Sequence, residues 1–274
     1  MSNATTEITC GERFAFGENW ARFLETLNDE RIVRAEDSLK SLLEVDSLAG
    51  RMFLDIGSGS GLFSLAARRL GAAVHSFDYD PQSVACTSQL RRRYFPDDPQ
   101  WKVEQGSALD RGYLSSLGTF DIVYSWGVLH HTGAMWQALE NAAVPVAQEG
   151  RLVVAIYNDQ GYISDRWKRI KRSYNRLPWL RPLLLAYGWL HAWGMNTLLD
   201  FYHLRPFASW RAYGRERGMS PWRDVVDWIG GWPFEVATPE AIARFYRDRG
   251  FVLQNLVTRQ GYGCNEFVFR ENAD

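Results

Sequence analysis

The sequence predicts an α/β fold: a seven-stranded, mostly parallel sheet with helices on its faces, an antiparallel C-terminal hairpin, and a helical, aromatic-rich insert. Three observations predict it. Short apolar runs alternate with helical segments between residues 51 and 157. A glycine-rich turn follows the first apolar run and opens a helix. Two more apolar runs, separated by a turn containing Gly261 and Gly263, close the chain. Alternation of strand and helix demands parallel strands with right-handed crossovers, whereas two adjacent strands joined by glycines form a hairpin.

The elements follow in order. Residues 12 to 48 place Ile32, Ala35, Leu39, Leu42 and Leu43 at helical spacing. Residues 1–50 are therefore expected to be a helical segment covering the active site. Met52 to Ile56 reads as a buried strand and Gly57 to Gly61 as a turn. Leu62 to Leu70 reads as a helix ended by Gly71. Ala73 to Phe77 is a second strand ending at Asp78, and Pro81 suits the first turn of the helix that follows, to about Tyr94. Trp101 to Gln105 and Phe120 to Ser125 read as strands three and four. Met135 to Ala147 reads as a helix and Leu152 to Tyr157 as strand five. Residues 51–157 form the expected core and 158–236 the insert. Residues 237–274 complete the core sheet, with a helix over Thr238 to Arg249 and strands over Phe251 to Thr258 and Asn265 to Phe269.

Composition narrows the class. Of 274 residues 46% are hydrophobic, enough for a substantial core. The formal net charge of −1 excludes a surface built wholly for nucleic acid, though a local basic patch stays open. Cys10, Cys86 and Cys264 match no metal-ligand spacing and read as reduced thiols of a cytoplasmic protein; no metal is expected. The first residues carry neither a basic start nor an apolar run, so no secretory leader is expected. Pro182 to Leu199 lacks Asp, Glu, Lys and Arg, but Gly188, His191, Gly194 and Asn196 interrupt it and it barely reaches spanning length.

The turn carries the chemistry. Gly57-Ser58-Gly59-Ser60-Gly61 lets the backbone approach a ligand without a Cβ in the way, and the helix behind it presents free N–H groups. Asp78 ends the neighbouring strand and is placed to accept hydrogen bonds from two ribose hydroxyls. By these features alone the ligand is a dinucleotide or S-adenosylmethionine (SAM). Spacing separates the two: the dinucleotide fingerprint sets its third glycine three residues after the second, whereas here every second residue is glycine.

LDIGSGSG resembles motif I of class I SAM-dependent methyltransferases. The resemblance continues through FDYDP, FDIVYSWGVLHH and EGRLVVAIYN, across about 110 residues in all, and its texture is closest to small-molecule methyltransferases of the ubiquinone-biosynthesis type. It implies SAM as cofactor and S-adenosylhomocysteine (SAH) as product. It further implies that Asp55 with Gly57, Ser58, Gly59 and Gly61 holds the methionine end. Asp78 holds the ribose, Tyr79 packs near the adenine, and Ser125 and Trp126 touch the methionine moiety. Ser107 and Ala108 stand where many relatives have Asp-Ala. Ser107 can still accept one hydrogen bond from the adenine amino group. Gln148-Glu149-Gly150 replaces a common Pro-Gly-Gly loop.

Methyl transfer from a sulfonium is an in-line displacement that needs alignment, exclusion of water and, for a hydroxyl acceptor, a base. His131 and His130 follow strand four, on the edge where open α/β sheets bind ligands, and either imidazole can take a proton. The plainer reading is that one of them bonds backbone. Tyr157 and Asn158 end strand five, where they either orient a substrate or cap the strand.

Eight of the twelve tryptophans fall in the insert, beside a basic cluster of Arg166, Lys168, Arg169, Lys171, Arg172 and Arg176. Three readings compete: a helical subdomain with a solvated basic face, an apolar cavity or membrane-edge surface, and an RNA-binding surface. The function expected is methylation of a small or lipid-like acceptor, on oxygen, with peripheral membrane contact through the insert. RNA or protein methylation through residues 166–176, and a non-catalytic SAM-binding module, are the alternatives.

Overall fold

The structure, a computed structural model, describes residues 4–206, 208–211, 221–259, 261 and 263–272; residues 207 and 212–220 of the expected insert lie outside the described residues. The chain divides into two compact units. One comprises Phe16–Gln160 with Phe234–Asp274, the other Met1–Ala15 with Gly161–Pro233.

The larger unit is a seven-stranded sheet in the order β3-β2-β1-β4-β5-β7-β6. Its strands are β1 (Met52–Ile56), β2 (Ala73–Asp78), β3 (Trp101–Gln105), β4 (Phe120–Trp126), β5 (Val146–Tyr157), β6 (Phe251–Val257) and β7 (Cys264–Glu271). The pairs β1–β2, β2–β3, β1–β4 and β4–β5 are parallel, and β7 lies antiparallel between β5 and β6. The first strands are apolar on both faces because helices cover both. Leu54, Ile56, Val123, Leu152 and Val154 face one core, together with the helix Met135–Ala143. Phe53, Tyr124 and Val153 face the other, together with the helices Asp29–Leu43 and Leu62–Arg69.

Strand five differs from the sequence expectation. The helix before it, expected to Ala147, ends at Ala143, and β5 starts at Val146. Val146 pairs with Phe120 and Arg151 with Ile122, so extra residues bulge out between them. Glu149 there adopts φ 59°, and a Cβ on Gly150 would meet the Ala147 carbonyl at 2.6 Å. Gln148-Glu149-Gly150 is thus a bulge inside a strand rather than a loop before one.

The smaller unit contains the helices Ala4–Thr9, Tyr162–Arg176, Arg181–Tyr202 and Pro221–Gly230. Residues 4–15 belong here, so the segment read from sequence as one N-terminal piece divides at Ala15. Close contacts hold them. A Cβ on Gly11 would lie 2.5 Å from the Asn175 carbonyl oxygen, a Cβ on Gly230 would enter the Phe14 ring, and the Phe14 N–H donates to the Trp232 carbonyl at 2.9 Å. Trp167 is buried, with ring centroids 5.4 Å from Trp228 and 5.3 Å from His191. Beside it, buried Lys171 donates to the Trp228 carbonyl and sits 4.1 Å from that indole. No described helix is long and apolar enough to cross a membrane.

Candidate active site

Strand order reverses between β1 and β4, and the loops after these two strands meet at that switch point. Gly57, Gly59 and Gly61 adopt φ of 77°, 55° and 81°, a left-handed backbone that only glycine enters without strain. Each is also crowded. A Cβ would lie 2.4 Å from Val128 Cγ1 at Gly57, 3.0 Å from Trp20 Nε1 at Gly59, and 2.9 Å from the Thr87 Cα at Gly61. The Gly57 and Ser58 N–H groups donate to the Phe77 carbonyl, and the Ser58 hydroxyl meets Thr87 Oγ1 at 2.9 Å. Gly61 then opens the helix Leu62–Arg69 as a cap without a side chain, and the Ser60 hydroxyl accepts the Leu62 N–H at 3.4 Å. A glycine-lined turn leading into a helix N-terminus fits the amino-acid end of a sulfonium nucleoside.

Asp78 sits at the end of β2 beside this turn. Its Oδ2 accepts the Gly59 N–H and its Oδ1 accepts the Asp80 N–H, both at 2.9 Å. These bonds orient the carboxylate beside the turn. The Tyr79 carbonyl accepts from Gln105 Nε2, which ties the adjoining loop to β3.

Several expected contact residues turn inward. The Asp55 carboxylate is buried and accepts the Ser64 hydroxyl, which meets Ser76 Oγ at 2.7 Å; the Trp101 indole donates to Ser76 in turn. Burial pushes the Asp55 carboxyl up to about 7; the Ser64 hydroxyl opposes the shift and the charge of Asp78 adds to it. The Ser125 hydroxyl donates to the Ile56 carbonyl and stitches β4 to β1. Ser107 closes a turn by accepting the Leu109 N–H, while Ala108 packs in the core and its carbonyl accepts from Asn141. Trp126 is exposed, its ring stacked 6.4 Å from Phe63.

The three residues expected to do chemistry come together. His130 and His131 lie in a 3-10 turn, Leu129–His131, whose preceding residue Val128 abuts Gly57. The His130 ring centroid is 4.4 Å from His131 and 4.2 Å from Tyr157, and His131 is 5.6 Å from Tyr157. Phe234 packs on Tyr157 with tilted rings, centroids 5.3 Å apart, and the Glu235 N–H donates to the His130 carbonyl. The His130 backbone is therefore held in place. The Asn158 side chain accepts from Asn265 Nδ2 at 3.1 Å.

One helix, Phe16–Glu25, reaches the histidine pair, the glycine turn and the loop after Asp78. Phe16 lies 4.9 Å from the His131 ring, the Gly17 N–H donates to Asp80 Oδ2 at 3.0 Å, and Trp20 covers Gly59. Sequence reasoning did not name Phe16, Trp20 or Val128. The spacing of Phe16 and Trp20, one helical turn apart, was the available signal. No group of His, Cys, Asp and Glu among the described residues is arranged to hold a metal ion. A separate groove, lined by residues that include Arg244 and Leu253, shares no residue with the switch-point site.

Comparisons agree with this geometry. Residues 54–152 match a family model described as Methyltransferase domain. A ribosomal protein L11 methyltransferase of Methylococcus capsulatus is 46% identical over 156 residues, which is 56% of this chain and 48% of that protein. The chain spans less than half the length of the curated relatives it matches first, 27% and 48%. The crystal structure of magnesium protoporphyrin IX methyltransferase from Synechocystis PCC 6803, with bound SAH, is 16% identical. The match covers 90% of this chain and 89% of that one, with a TM-score of 0.53. An O-methyltransferase family protein from Burkholderia thailandensis is 12% identical, covering 89% of this chain and 58% of that one, with a TM-score of 0.55. Likeness at such identity concerns the fold, while the family model identifies the segment that holds the glycine turn, Asp78 and both histidines. Residues 54–152 thus match the methyltransferase domain family, and they lie in a fold shared with these crystallised methyltransferases.

Proposed function

We propose that the protein is a SAM-dependent methyltransferase acting on a small or lipid-like acceptor, at oxygen. The observation that carries this reading is the glycine turn pinned to Asp78 with the His130, His131 and Tyr157 cluster abutting it through Val128. SAM, when bound, supplies an electrophilic methyl group and leaves as SAH.

The chain's own residues do the rest. Gly57, Ser58, Gly59 and Gly61 form the turn against which the methionine end packs, its three positive-φ glycines letting the backbone approach the ligand without a Cβ. Asp55 supports that turn from beneath through Ser64. Asp78 accepts the ribose hydroxyls and Tyr79 packs by the adenine. The Ser107–Ala108 turn closes the adenine side, and Ser125 and Trp126 border the methionine moiety. His131 takes the proton of the acceptor hydroxyl on its unprotonated ring nitrogen. His130 packs against it, and the Tyr157 hydroxyl orients the acceptor.

Calorimetry tests the cofactor: SAM and SAH bind and NAD does not. Indifference to SAM and SAH at millimolar concentration ends the proposal. Transfer of labelled methyl from SAM to small hydroxylated aromatics tests the acceptor.

A second reading has a specific observation behind it. Two curated relatives, 39% and 46% identical over the segments they share with this chain, bear the name of a ribosomal protein methyltransferase. Labelling of ribosomal protein L11, with small hydroxylated compounds left unmodified, would favour it.

A further inference from the structure

The smaller unit concentrates positive charge and exposed apolar side chains. Residues 161–211 hold nine Lys and Arg and two Asp, a net of +7, while the whole chain carries −1. The remainder is therefore −8. One of the two acids, Asp200, is buried and accepts the Ser209 N–H and hydroxyl.

On the helix Arg181–Tyr202, residues Leu183, Tyr187, Leu190, Leu198 and Phe201 recur at intervals of three, four, seven or eight and share one face. All are exposed, with Leu183 at 67%, Leu190 at 61% and Leu198 at 67%. The stripe runs about 27 Å. The opposite side of the helix meets its own unit: Gly188 lies against Ile229, and Trp193 is buried with its ring 5.4 Å from Trp210. On the preceding helix, Tyr162–Arg176, the solvent face presents Lys168, Arg169, Arg172 and Arg176. An exposed Trp179 sits in the turn between the two helices.

We infer that this unit docks on an anionic phospholipid surface, the leucine stripe entering the headgroup boundary and the basic face meeting lipid phosphates. Charge complementarity selects a negative partner, and a row of aliphatic side chains selects one with hydrocarbon to offer. Nucleic acid would take up the cations but gives leucines nothing to stack on. Since no described helix can cross a bilayer, the mode is surface contact. The inference is independent of the methyl-transfer reading, because it is read out by lipid binding alone.

Sedimentation of the full chain with mixed phosphatidylglycerol–phosphatidylcholine vesicles tests it. Partitioning about tenfold or more above that on pure phosphatidylcholine is expected, falling as salt rises. Leu183→Glu with Leu198→Glu should abolish it, with far-ultraviolet circular dichroism and SAM calorimetry unchanged. Lys168→Glu with Arg172→Glu should remove the preference for anionic vesicles, and it serves where the leucine variant does not fold. Equal partitioning of the variants and the parent overturns the inference. So does vesicle indifference accompanied by single-stranded RNA binding that survives the leucine changes. A leucine-dependent dimer that ignores vesicles also overturns it.

Discussion

Asp78 Oδ2 accepts the Gly59 N–H at 2.9 Å, so the residue proposed to grip the ribose also fixes the turn proposed to hold the methionine end. Asp78→Ala should therefore act twice. Loss of charge-assisted bonds is expected to weaken SAM binding by about 1–3 kcal/mol, roughly five- to 150-fold. Release of the Gly59 and Asp80 N–H groups should lower the melting temperature as well. Calorimetry and thermal unfolding on the same preparation check both effects. Unchanged affinity would remove the ribose assignment.

His131 packs between Phe16 and His130, close to Tyr157. As a general base it is expected to contribute about 100-fold or more to turnover. His131→Ala should lower kcat by that order with the SAM Kd kept, while His130→Ala should cost less. Steady-state kinetics with the identified acceptor, beside SAM calorimetry, separate the two effects. Normal turnover in His131→Ala leaves that residue structural.

Gly59 is constrained by its own backbone and by a neighbour. Gly59→Ala places a Cβ at φ 55° and 3.0 Å from Trp20 Nε1. Strain of about 1–3 kcal/mol is expected in urea unfolding. Trp20→Ala should relieve the contact part and leave the backbone part, so the double variant should be less damaged than the sum of the singles. Strict additivity would show that the indole does not press on the turn.

The strand–helix order, the glycine turn, Asp78 and the C-terminal hairpin were legible because each is written locally. Apolar runs of strand length, glycines where φ turns positive and proline at a helix start need no tertiary information. The rest depends on partners distant in sequence. Val146 reads as the end of a helix until Phe120 pairs with it. Asp55 and Ser125 stand in the motif where ligand contacts are expected, yet Ser64 and the Ile56 carbonyl take their polar groups inward. Gly11 and Phe14 belong with residues some 160 to 220 positions later, which no local pattern announces. The union of His130, His131 and Tyr157 was foreseeable from strand ends alone, whereas Phe16 and Trp20 arrive from a helix outside the motifs.

Asp55 should leave a signature in the pH dependence of stability. Burial holds its folded carboxyl near 7, above the ordinary value of 3.8. Between these values the folded state binds more protons than the unfolded one, so this residue's contribution is full below about pH 4 and is lost as pH rises through 7. Asp55→Asn retains an acceptor for Ser64 and does not titrate. The variant should gain on the parent as pH increases from 4 to 7, by urea unfolding at fixed ionic strength. A constant difference across that window would place the Asp55 proton elsewhere.

Lys171 should show the opposite slope. Its ammonium is buried against Trp228, and burial lowers it to about 7 while Asp227 opposes the shift. Between pH 7 and the ordinary 10.5 the unfolded chain binds the extra proton, so folding gains stability as pH rises across that window. Below 7 both states are charged and the full desolvation cost is present. Lys171→Met removes the titration but leaves the Trp228 carbonyl without this donor, so it should compare best with the parent at pH 6.5 and worst at pH 9.5. Lys171→Arg cannot shed its proton and should be the least stable at either pH. Tryptophan fluorescence during urea unfolding reports on this unit, since eight of the twelve indoles lie between residues 158 and 236. If the gap between Lys171→Met and the parent does not widen from pH 6.5 to 9.5, the ammonium is not buried against Trp228 in solution.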